Sequence, residues 1–133
     1  MPGIDESLLE AVRLPGARGA SVIDWISGLA LGTVGDAPGG DVEATAAETA
    51  ELARLAAEST ALAPADAGPA ASAEEPPVQD LIVTTTDAYH LIRFIGTPFD
   101  STVFLHLWLD RTDGNLALAR IRLAEIADRL VLG

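Results

Sequence analysis

The chain contains no cysteine and no lysine. Without thiols, disulfide frameworks, thiol catalysis and cysteine-based zinc sites are excluded. Without lysine, the glycines at 32, 35, 39 and 40 cannot belong to a phosphate-binding loop that ends in Gly-Lys-Ser/Thr, so nucleotide binding by the chain itself is not expected. No apolar run approaches the roughly 18 residues that span a bilayer. The opening Met-Pro-Gly-Ile-Asp-Glu is acidic and carries no basic, apolar leader, so we expect a cytoplasmic protein without membrane insertion. Positive charge is also scarce: eight arginines stand against 20 acidic residues, for a net charge of −12, a field that repels phosphate backbones and argues against nucleic acid as a partner. The arginine and alanine bias itself is accounted for by GC-rich coding.

At 133 residues the chain is expected to form one domain with a single core, stable without a metal or other cofactor. Its most informative stretch runs from Asp80 to Ile95 and, after a Gly-Pro break, from Thr102 to Asp110, and it reads as three antiparallel strands. Side chains alternate between faces along a strand. In the last of the three, Val103, Leu105, Leu107 and Leu109 point one way, and Phe104, His106 and Trp108 the other. A strand apolar on both faces must be covered on both, which makes it central in its sheet with helices above and below.

The remaining elements supply those covers. Asp5 is placed to cap a short helix carrying Leu8, Leu9 and Val12, stopped at Leu14-Pro15-Gly16. From Arg18 to Val34 the pattern is that of a β-hairpin, with Gly28 as the turn residue of positive φ. Asp41 caps a long helix reaching about Ala61, whose inner side (Val42, Ala46, Thr49, Ala53, Ala56, Ala57, Thr60) is made of small residues. Residues 63–79 are Ala/Pro-rich, without periodicity, and predict a flexible loop; its paired acids Glu74 and Glu75 read as a solvated charge run. After the strands, Thr112 or Asp113 caps a last helix with a core stripe of Leu116, Ala119, Leu123, Ile126, Ala127 and Leu130. Leu118 and Ile121 fall off the stripe and are expected to pack against the first helix. The expected fold is α+β, in the order α-β-β-α-β-β-β-α. One long helix covers one face of a five-stranded antiparallel sheet and two helices cover the other.

That order, together with Leu-Pro-Gly-Ala17, Ser-Gly-Leu-Ala-Leu-Gly32, Tyr-His-Leu-Ile-Arg93 and the run from Leu107 to Arg120, resembles the roadblock/LC7 family of bacterial and other small proteins. The resemblance covers Leu8 to Leu130 apart from the Ala/Pro loop. It implies a roadblock/profilin-like fold and a homodimer that acts on or scaffolds a small Ras-like GTPase. It also implies pairing through the strand after the loop, here 78–86, and through the long helix, here 42–61, with Leu81, Ile82, Val83, Ala46 and Ala53 expected at the interface. At Asp87-Ala88 the chain departs from the family, whose members often have glycine in that turn. Independently, an apolar strand at a sheet margin offers unpaired backbone groups to a second copy.

Partner contact is expected on the outer side of the long helix, at Glu48, Glu51, Leu52, Leu55 and Glu58. Two other functions set distinct requirements. A small-molecule sensor needs a pocket between the long helix and the sheet. A hydrolase needs His90 or His106 exposed in a cleft beside a hydroxyl, with Asp87, Asp110, Ser101 or Thr86 in support. No catalytic spacing surrounds either histidine, and His106 between Phe104 and Trp108 reads as a core histidine with one satisfied hydrogen bond. Asp110 to Asp113 lacks the spacing of a calcium loop and reads as helix capping. Trp25, in the hairpin turn, is expected to pack back on the domain.

Overall fold

The computed structural model describes residues 3–63, 65, 78–96 and 102–130. Helix α1 (Ile4–Val12) is followed by strands β1 (Ala17–Asp24) and β2 (Leu29–Gly35), helix α2 (Val42–Glu58), strands β3 (Asp80–Thr84), β4 (Ala88–Ile95) and β5 (Val103–Asp110), and helix α3 (Leu116–Arg129). The five strands form one sheet in the order β2-β1-β5-β4-β3, every neighbouring pair antiparallel. The strand apolar on both faces, β5, is the middle one, and β2 and β3 are the two edges.

Its two faces are roofed as their apolarity requires. Leu105, Leu107 and Leu109 of β5 pack with Ala20 and Val22 of β1 under Leu8 and Ala11 of α1 and Leu123 and Ile126 of α3. On the other face Phe104, Ile23, Ile92 and Phe94 lie beneath Ala46, Ala50, Ala53 and Ala56 of α2. Alanines let that helix sit close to the sheet at the expense of buried area, which scales with apolar surface. Trp25 packs against the same cluster, as expected.

The local signals explain most boundaries. Gly28 closes the β1–β2 turn at φ 76°, a conformation that L side chains resist. The Asp41 side chain accepts the Ala44 N–H at 3.1 Å and starts α2. Three expectations are corrected. Asp5 is not the cap of α1: Ser7 N–H already bonds Gly3 C=O, so the helical ladder begins at Gly3 and Asp5 lies inside the first turn, near its positive end. Neither Thr112 nor Asp113 caps α3; Asp110 Oδ1 accepts both of their backbone N–H groups in a turn, and Asn115 caps the helix by accepting Leu118 N–H at 3.0 Å. Helix α2 ends at Glu58 instead of Ala61, because Ser59 adopts extended dihedrals and a separate 3₁₀ turn, Thr60–Leu62, follows.

Two further differences concern packing. Ile121 is 58% exposed instead of lying against α1, because the stripe through Ala119, Leu123 and Ile126 turns it outward. Beyond the shared core, the two helices are joined by Arg129 and Glu10, 2.7 Å apart. At the β3–β4 turn no glycine is needed: the Thr85 hydroxyl accepts Ala88 N–H at 3.0 Å and Thr85 N–H donates to Ala88 C=O at 2.8 Å, holding the turn with negative φ throughout. The Ala/Pro loop expected at 63–79, with Glu74 and Glu75, falls almost wholly outside the described residues, as does Ser101.

Candidate functional site: a groove beside the long helix

Helix α2 lies chiefly over β1 and β2, so it does not roof the whole face. Between its flank and the β3–β4 side of the sheet an open groove of about 280 Å³ remains, lined by Pro38, Thr45, Glu48, Thr49 and Leu52 on one wall and Val83, His90, Ile92 and His106 on the other. It leads toward β3, whose far side has no neighbouring strand among the described residues. Leu81, Ile82 and Val83 are each only half buried there. By strand alternation Leu81 joins the α2-side cluster, Ile82 the opposite core, and Val83 the groove.

The edge strand is held in place on its other face. Asp80 lies 2.8 Å from Arg120 of α3 and 3.7 Å from Arg93 of β4, so one carboxylate ties β3 to both its neighbouring strand and the covering helix. The hydrogen bond and charge of Asp80 raise the Arg120 pKa.

Two histidines lie on the sheet wall of the groove. His90 Nδ1 and His106 Nε2 are 3.1 Å apart, with ring planes 6° from parallel, so the imidazoles meet edge to edge through one N–H···N hydrogen bond. His106 is 3% exposed and burial pushes its pKa down to about 4, with the neighbouring imidazole adding to the effect. Burial also lowers His90, against the opposing pull of Asp87. The Trp108 ring lies nearly parallel to His90 at 6.4 Å and carries the Arg18 guanidinium 4.0 Å over its ring. His106 is thus the hydrogen-bonded core histidine that its apolar neighbours implied. Its pairing with His90 escaped sequence reading; both lie on the α2 face of adjacent strands, and only the β4–β5 register, with Ile92 opposite His106, brings them together.

What hydrolytic chemistry would need here is already engaged elsewhere. The Thr45 hydroxyl donates to Pro38 C=O at 3.0 Å and the Thr49 hydroxyl to Thr45 C=O at 2.7 Å, so neither is held against an imidazole. Thr86 is exposed, and Asp110 is occupied in its turn. Among the described residues no cluster of three or more acidic or histidine side chains could hold a metal ion, and no helix is long and apolar enough to cross a membrane.

The residues expected to meet partners divide into three places. Ala46 and Ala53 are fully buried against the chain's own sheet, so their surface is spent within the protomer. Glu48 and Leu52 face the groove. On the outer side Glu51 and Glu58 flank Arg54, at 2.7 and 3.9 Å, and Leu55 is 71% exposed beside them. The groove itself was foreseeable only as an opening that the small residues of α2 could leave.

No protein-family model and no curated protein matches the chain. Solved structures do. A roadblock/LC7 domain from Streptomyces avermitilis superposes with a TM-score of 0.66 at 18% identity, over 96% of this chain and 93% of that one. The chain has the roadblock/LC7 fold. Also similar are MglB from Myxococcus xanthus, with a TM-score of 0.73 at 17% identity over 94% of this chain and 82% of that one, and the gliding protein MglB from Thermus thermophilus, with 0.69 at 21% over 94% and 83%. In this roadblock/LC7 fold the groove, the paired histidines and the open β3 edge all lie on one side of the molecule.

Proposed function

We propose that the chain is a non-enzymatic, homodimeric regulator or scaffold of a small Ras-like GTPase in the cytoplasm. The observation that carries the dimer is the continuity between the groove and the edge of β3, which no strand pairs among the described residues. A second copy related by a two-fold axis pairs its β3 with this one, satisfying the free backbone groups, and lays its α2 beside the first, covering Leu52 and Val83. Leu81, Ile82 and Val83 then belong to the interface, while Ala46 and Ala53 support it from beneath by setting α2 close to the sheet.

The GTPase is supplied by the family resemblance and the shared fold. With no catalytic constellation of its own in the groove, the dimer acts by holding the GTPase's switch loops, since Mg²⁺ and the phosphoryl chemistry belong to the GTPase. Glu48, Glu51, Leu52, Leu55 and Glu58 are the proposed contact, an acidic surface with two leucines that suits a basic, partly apolar partner face. The test is capture from the native host on immobilised protein, followed by a GTP hydrolysis assay on any GTPase recovered. Wild type should retain a Ras-like GTPase, and Glu48→Lys with Glu51→Lys should lose it; equal capture by both removes this surface.

The groove's volume also favours a second reading, a small-molecule sensor, although 280 Å³ falls just below the range of about 300–1,000 Å³ usual for ligand pockets. The two readings compete for the same space, because a second copy that covers the groove leaves no room for a ligand. A persistently monomeric protein that is thermally stabilised by a small ligand would favour the sensor.

A further inference from the structure

We propose that the His90–His106 pair is a proton-binding site that weakens self-association in acid. The inference rests on the dimer proposed above and adds to it a condition under which it comes apart. His90 stands on β4 directly opposite Val83 of the edge strand, and both line the groove that the second copy would cover. In the neutral pair each ring carries one proton, and the shared N–H···N bond satisfies the one nitrogen of the deeply buried His106 that faces His90. Where His90 donates through Nδ1, a further proton enters at its Nε2 and the shared bond survives; where His106 is the donor, both facing nitrogens become donors unless His106 changes tautomer. In either case the proton places a cation beside Pro38, Leu52, Val83 and Ile92, in a groove that also holds Thr45, Glu48 and Thr49.

Whether that cation is tolerated depends on water. In the free protomer His90 is half buried, so its outer edge is hydrated; Asp87 on the β3–β4 turn favours the charge, and Glu48 on α2 lines the same groove. Against it stands Arg18 from β1, on the Trp108 ring that parallels His90. Asp36 lines a small adjoining cavity with His106 and Trp108, which His90 does not line. When a second copy closes the groove the hydration is lost, and burying a charge without a new partner is costly. The pKa of His90 is therefore lower in the dimer than in the free protomer, association releases a proton, and the dissociation constant rises as pH falls below the free-protomer value.

The experiment measures the dimer dissociation constant by sedimentation of a dilution series at pH 7.5 and 5.5. Wild type should dissociate about tenfold more readily at pH 5.5, since both protomers contribute a proton. His90→Gln, which keeps a hydrogen-bonding side chain without a titrating one, should show no such loss. His90→Arg, permanently charged, should already associate weakly at pH 7.5 with wild-type circular dichroism. A wild-type dimer with equal constants at both pH values overturns this inference alone, as does a His90→Gln dimer that keeps the full acid effect. A monomer at both pH values and all concentrations overturns the dimer and this inference with it.

Discussion

His106 is buried in the neutral form, and that has a consequence for stability. Its folded pKa of about 4 lies below the 6.5 of an exposed histidine, so the unfolded chain binds more protons between those values. Stability is therefore full above about pH 6.5 and falls as pH drops toward 4. From pH 7 to pH 5 this one group should remove about 2 kcal/mol from the unfolding free energy, and His106→Gln should abolish most of that slope in urea titrations. Asp80 is a charge that is paired. It is largely buried and serves Arg93 and Arg120 at once, so Asp80→Ala should destabilise by roughly 1–2 kcal/mol through the loss of the opposite charge beside the largely buried Arg93. Thermal unfolding of Asp80→Ala beside Arg120→Ala, which removes only the exposed partner, should show the larger loss for Asp80.

At the scale of elements, α2 is defined by what its inner side lacks. Ala50 and Ala53 are buried without any large side chain, so the helix is fixed in distance from β1 and β2 by methyl groups. Ala53→Leu should overpack that contact and cost about 1–3 kcal/mol, measurable as a lower midpoint of thermal unfolding. The helix pattern, the Asp41 cap, the Gly28 turn and the two-faced β5 were all readable from residue type and spacing, because each is a local consequence of local chemistry. Residue type does not choose the cap of α3, because Thr112, Asp113 and Asn115 are all competent; Asp110 holds the first two in a turn ahead of the helix, and Asn115 stands at its start. The His90–His106 bond was not legible at all, since it depends on how far β4 slides along β5. Ala50, too, was missed from the inner side of α2, although its spacing from Ala46 and Ala53 fits the same stripe.

At the scale of the whole molecule the two faces of the sheet are unequally covered. Helices α1 and α3 together close one face, whereas α2 alone leaves the β3–β4 part of the other open beside a strand with no outer neighbour among the described residues. In the proposed dimer a second copy with the same deficit completes both at once. The most direct measurement is the mass in solution, by light scattering at micromolar concentration, of wild type and of Val83→Arg, a change on the open edge that leaves both closed cores intact. A wild-type mass of twice the chain, with Val83→Arg folded but reduced to a single chain, is the predicted result. A folded wild-type protein of single-chain mass, or a Val83→Arg protein that still runs at twice the chain, would contradict it.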